Sequence, residues 1–133
     1  MSFFDQTKME AIGSGVMVGQ GALTDSGLLS WARNYKKNTA SRYRLLNESD
    51  IRDIESPRLF ASLKLDGQLH FLFKGGDQCF LFNIKGRVIT GLPLLEDARK
   101  KLADIDRIII AGELYIGSQE SRSRVYDVTS ALG

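Results

Sequence analysis

The chain has little of several things that usually announce a function. One cysteine, Cys79, in 133 residues excludes an intrachain disulfide and a cysteine-cluster metal site, and it fits a reducing compartment. The single histidine, His70, lies in a strand-like stretch, where a structural role is expected before a catalytic one. No apolar run is long enough to cross a bilayer, and the N-terminus lacks the basic and then apolar pattern of a secretory signal. There is no internal repeat and no low-complexity tract. An excess of one charge is also missing. The formal net charge of +2 is too small to establish a nucleic-acid partner by itself. These absences lead to the expectation of a soluble cytoplasmic protein with no membrane partner.

What is present is enough apolar character, 43% of residues, to bury the core of one domain or part of one. Residues 3–22 read as a short amphipathic segment and then irregular glycine-rich backbone, since these glycines lack the spacing and context of a phosphate-binding loop. Thr24 or Asp25 can cap a helix reaching about Lys37, with Leu28, Leu29 and Ala32 on one face. Arg42 to Leu46 reads as a short strand. Ser49 caps a brief helical turn, and Pro57 ends a linker. From Leu59 the pattern becomes β-rich, with runs at 59–65, 68–73, 79–84 and 108–116. Lys85-Gly86-Arg87 marks a tight turn. Pro93 opens a helix striped with Leu94, Leu95, Ala98 and Leu102. Val125 to Val128 reads as a short helix or strand. The fold class expected is α+β, a mainly antiparallel sheet with flanking helices.

The most informative stretch is Lys64-Leu65-Asp66-Gly67. Asp-Gly between two apolar runs signals a two-residue hairpin turn, because both residues tolerate the positive φ that such turns require. In that register Lys64 faces Leu69. Phe60, Ser62, Lys64, Leu69, Phe71 and Phe73 then share one face, and His70 and Leu72 lie on the other. Both faces are apolar enough to be covered, which would set Lys64 at the edge of an apolar floor. Partial desolvation, or a neighbouring cation, exposes a lysine's lone pair and makes it a nucleophile. As a bare string the tetrapeptide is more often an ordinary turn. A second element adds weight: Glu113, inside the apolar run Ala111-Gly112-Glu113-Leu114-Tyr115-Ile116, is costly to bury without a hydrogen-bonding partner. It is either an acceptor for a ligand hydroxyl or a base for a bound group, or else an edge-strand carboxylate facing solvent or paired to Arg107 or Arg122.

Phe60 to Gly67 followed by Gly112-Glu113-Leu114-Tyr115 resembles the first and third signature motifs of the covalent nucleotidyltransferases: ATP-dependent DNA ligases, RNA ligases and mRNA capping enzymes. The resemblance covers about residues 40–120, and Gly-Glu-Leu-Tyr looks closest to the ligases. It implies a partial ligase-like, ATP-grasp-type adenylation domain in which Lys64 attacks the α-phosphate of ATP, with Mg2+, and holds AMP as a phosphoramidate. AMP would then pass to a 5′-phosphate end of nicked DNA or RNA for sealing, as in DNA repair. Glu113 matches the glutamate that contacts the ribose, Asp66 and Gly67 complete the lysine motif, and Ser62 and Leu63 would lie along the adenine pocket.

The chain also departs from the pattern. Leu69 stands where DNA ligases commonly carry an arginine, and Ser62 where an acidic residue is frequent. Nothing after Tyr115 matches the family's metal-associated acidic strand or its phosphate-binding lysine pair. No metal ligands are assigned, and no appended five-stranded barrel domain fits. Residues 1–133 therefore read as a single unit, the N-terminal portion of an adenylation domain, which need not complete the first step alone. A basic stretch, Arg33, Lys36, Lys37, Arg42 and Arg44, interleaved with Trp31, Tyr35 and Tyr43, is a candidate grip on a phosphate backbone. Arg99, Lys100 and Lys101 are expected to be a solvated helix end. An RNA ligase, a guanylate-specific capping-type enzyme and a non-catalytic nucleic-acid-binding module stay open as alternatives.

Overall fold

The computed structural model describes residues 2–54, 60, 64, 66–117 and 125–132. Six antiparallel strands form one sheet: β1 (Glu10–Gly13), β2 (Val16–Gly19), β3 (Gln68–Gly75), β4 (Gln78–Phe82), β5 (Val88–Thr90) and β6 (Arg107–Leu114), in the order β1-β2-β5-β4-β3-β6. Among the described residues four α-helices accompany it: α1 (Ser26–Ala40), α2 (Glu48–Arg52), α3 (Pro93–Lys101) and α4 (Val125–Ala131). The class is α+β with an antiparallel sheet, as the alternation of apolar residues predicts.

Strand β3 organises the sheet because it is apolar on both faces. Phe71 and Phe73 point into one core with Phe80, Phe82, Val88 and, from α1, Leu28 and Ala32. Phe71 is fully buried and meets Trp31 and Tyr35 edge-on, each ring centroid 5.2 Å away. On the other face, Leu72 packs against a second core of Val18, Leu81, Ile89, Leu95 from α3 and Val128 from α4. Asp25 caps α1 by accepting a hydrogen bond from the Leu28 N–H, and Pro93 starts α3, so both helix starts fall where their sequence signals put them. Arg99 and Lys100 pair with Glu96, and Lys101 with Asp97, along exposed turns of α3. That is the solvated helix end expected of them.

Several expectations need correction. The glycine-rich segment is not irregular: β1 and β2 form a hairpin whose turn uses Gly15 at φ +76°. Strand β2 then packs so closely on Gly91 that a Cβ there would strike the Gly15 carbonyl. Residues 43–46 form no strand. Tyr43 and Leu45 are exposed by 75% and 97%, so nothing holds that segment in a sheet. The brief helix α2 is capped by Asn47, two residues before the expected Ser49, through a reciprocal capping box with Asp50. The expected strand over 59–65 falls mostly outside the described residues, and the linker end at Pro57 lies outside them too.

His70 is the buried histidine the strand pattern predicts, 3% exposed. Its Nδ1 donates to the Gln68 carbonyl at 3.1 Å, and its Nε2 has no partner among the described residues. Burial, with the Arg87 cation adding to it, pushes its pKa below the usual histidine value. The folded chain thus prefers neutral imidazole, while the unfolded chain takes up a proton near pH 6.5. Stability should therefore hold above that pH and fall as pH drops below it. Urea midpoints measured between pH 7.5 and 5.5 should decline in the wild type. The decline should flatten in His70→Phe, since no other histidine titrates in that window.

Candidate functional site

Strand β3 pairs with β6 along its whole length, from Gln68↔Leu114 to Gly75↔Arg107. Within that register Leu69 lies directly opposite Glu113. The two motifs singled out in the sequence therefore meet at one end of the same strand pair, where the chain leaves β6 and enters β3. Leu69 shares its face with Phe71 and Phe73, so Glu113 stands on the face covered by α1.

Gly67 fixes how closely the motifs approach. A Cβ on it would lie 3.0 Å from the Leu114 carbonyl carbon and 3.3 Å from the Tyr115 Cβ, and closer still to the Leu114 carbonyl oxygen. Gly67 has no positive φ, and the two sides of β3 are taken by β4 and β6. The expected two-residue turn is therefore not formed, and what the glycine supplies is room rather than a left-handed dihedral. Strand β3 makes its hairpin with β4, through Gly75↔Gln78, and Lys64 belongs to no strand. Lys64 and Asp66 are exposed, so Lys64 is not set against an apolar floor. Phe60, expected on a covered face, is 98% exposed. Ser62 and Leu63 lie outside the described residues. Gly67→Ala should force the β6 backbone away and cost about 1–3 kcal/mol, as overpacking does. Chemical denaturation of the variant reads this directly.

Two clefts open beside this junction. One, of about 290 Å³, is lined by Tyr35, Lys36, Tyr43, Leu69 and Glu113 among others. The second, of about 350 Å³, shares Lys36 and Leu69 with it and adds Asn83, Lys85 and Arg87. Glu113 is exposed and so escapes the burial cost foreseen for it. Its carboxylate is free to accept hydrogen bonds from a bound group.

Of the five basic residues proposed to grip phosphates, only Lys36 lines either cleft, and Arg33 is exposed away from both. Arg44 is bonded to Asp50 at 3.3 Å instead, and Lys37 and Arg42 are exposed. Trp31 and Tyr35 pack on Phe71, with Trp31 still 40% exposed, and Tyr43 is the more exposed aromatic at 75%.

The cations that sequence reasoning missed are Lys85 and Arg87, taken only as part of a turn. The Asn83 side-chain oxygen accepts from the backbone N–H groups of both, at 2.9 and 3.0 Å. Gly86 closes the turn at φ +77°, and the Arg87 Nε donates to Gln20 Oε1 at 3.0 Å. This loop is held from several sides, so Lys85 and Arg87 are presented on a fixed support rather than a loose one. Their signal in the sequence is two cations flanking a turn glycine just after an apolar strand.

Among the described residues no three His, Cys, Asp or Glu side chains group as a metal site. The Mg2+ implied by the ligase resemblance thus finds no cage of protein carboxylates there. Among the described residues no helix is long and apolar enough to cross a membrane. No protein-family model matches the chain, and no curated protein or solved structure is significantly similar to it.

Proposed function

We propose that the chain is the lysine-bearing part of a covalent nucleotidyltransferase of the polynucleotide-ligase type. One observation supports this reading above the others: Leu69 and Glu113 are register partners, and Gly67 is pressed on Leu114 and Tyr115. Two motifs far apart in sequence thereby share one end of a strand pair, with an exposed lysine just upstream. In the proposed step the neutral Lys64 amine forms a bond to the α-phosphorus of ATP, and the bond to pyrophosphate breaks. The nitrogen's proton leaves to solvent, and lysyl-AMP results. AMP next moves to a 5′-phosphate end of nicked DNA or RNA, and a 3′-hydroxyl displaces it. Glu113 accepts from a ribose hydroxyl. Lys36, Lys85 and Arg87 offer three cations to phosphate oxygens along the shared clefts. A magnesium ion entering with the nucleotide would neutralise part of the triphosphate charge.

The cation-lined cleft also fits a second reading, a nucleic-acid-binding module without chemistry. Incubation of the intact gene product with magnesium and α-labelled ATP or GTP separates the two. Acid-labile label on the polypeptide supports the transferase, and the labelled nucleotide distinguishes a ligase from a guanylate-specific capping-type enzyme. No label with either nucleotide overturns it, and salt-sensitive binding of nicked duplex without label points to the module.

A further inference from the structure

The two edges of the sheet are built differently. Strand β1 is short and carries a register shift between Ala11 and Gly13, and such irregularity discourages added strands. Strand β6, at the opposite edge, has eight residues and an unbroken register with β3. Its interior is Ile108-Ile109-Ile110-Ala111-Gly112, with no lysine, proline or bulge to deter pairing. Among the described residues no strand pairs with its outer row of N–H and C=O groups. Ile110 is 43% exposed, at the rim of an apolar groove of about 200 Å³ that includes His70, Leu72 and Leu94.

We propose that β6 pairs antiparallel with β6 of a second copy of this chain, joining two sheets into one across a two-fold axis. Symmetry limits the register. Hydrogen-bonded and non-hydrogen-bonded pairs alternate along an antiparallel ladder. A two-fold axis therefore cannot exchange neighbouring pairs, and one residue must face its own copy. The two longest overlaps centre on Ile110 or on Ala111. Centred on Ile110, Arg107 faces Glu113 of the second copy, Ile109 faces Ala111, and Ile108 faces Gly112. The Arg107–Glu113 pair occurs twice by symmetry. Centred on Ala111, Glu113 faces Ile109 and Arg107 is left over. Charge complementarity selects the first.

Arg107 and Glu113 share a face in that arrangement, the face on which the Arg107 guanidinium already lies 5.4 Å from the Phe73 ring centre. The pairing draws on the carboxylate assigned to the nucleotide, but its test needs no nucleotide. Its failure is therefore separate from any failure of Lys64 labelling.

Sedimentation measured over a range of concentrations should give twice the chain mass. Arg107→Glu and Glu113→Arg should each weaken the dimer about tenfold or more, since each turns two attractive cross-strand pairs into repulsive ones. The double reversal should restore it, because the charges are opposite again. Ile110→Cys should form a disulfide-linked dimer on mild oxidation that the wild type, with Cys79 alone, does not. A monomer at every concentration overturns the proposal. So does a dimer that ignores the single reversals, or a double variant no tighter than the singles.

Discussion

Lys64→Ala should abolish nucleotide label on the polypeptide, and Lys64→Arg should do the same. Alanine has no nucleophile. Arginine keeps the positive charge, but its guanidinium stays protonated at any working pH and presents no lone pair to phosphorus. Loss in both variants therefore identifies bond formation at Nζ rather than mere charge attraction. Because Lys64 is exposed and lies outside helix and strand, either change should move stability by no more than about 0.5 kcal/mol. Unchanged melting with complete loss of label is the expected pair of results. Label that persists in Lys64→Ala would place the attachment elsewhere and sink the assignment. Retained label in Lys64→Arg alone would count equally against a phosphoramidate at this position.

Phe71→Ala should be the most damaging single change to the fold. The ring is fully buried at the centre of the first core, within 5.3 Å of the Phe82 centroid and 5.2 Å of those of Trp31 and Tyr35. Removing a ring from such a position costs about 3–5 kcal/mol through lost burial and the cavity left behind. Domains are stable by only about 5–15 kcal/mol. The variant should melt roughly 10 °C lower or more, with a matching fall in the urea midpoint. Leu45→Ala provides the contrast: at 97% exposure it should be almost silent. A loss below about 1 kcal/mol for Phe71→Ala would contradict the packing described. The effect should also reach the clefts, because Phe71 anchors Tyr35, and through α1 the position of Lys36.

The sequence carried the sheet's material more clearly than its pairing. Alternation in Gln68 to Phe73 located β3 and correctly separated Phe71 and Phe73 from His70 and Leu72. The caps at Asp25 and Pro93 located both long helices. Asp66-Gly67 misled because a strong local turn signal competes with long-range pairing, which propensity does not express. Strand β3 found β4 and β6 instead. The β1–β2 hairpin was hidden by glycines that read as irregular chain, although Gly15 and Gly91 are what let the hairpin close on β5. At the candidate site, Gly67 and Glu113 were legible as motif positions. Their contact through the Leu114 backbone was not, since register between distant strands is a tertiary choice. Lys85 and Arg87 were hidden for a related reason: what makes them useful is Asn83 and Gln20 holding their loop, and those bonds leave little trace in composition.

The β3–β6 pairing also has a kinetic consequence. Leu69 and Glu113 can meet only after the intervening β4, β5 and α3 have been gathered in, so the ladder joining them closes a long loop. Such closures are entropically costly and tend to be slow. A partly folded chain, with α1 formed and β3 already zipped to β4, would present Lys36, Lys85 and Arg87 but no opposing glutamate. In pulse-labelled refolding, amide protons of β6 should accordingly gain protection later than those of β4. If the proposed nucleotide binding holds, it should appear with that last phase rather than with the first burial of the aromatic core.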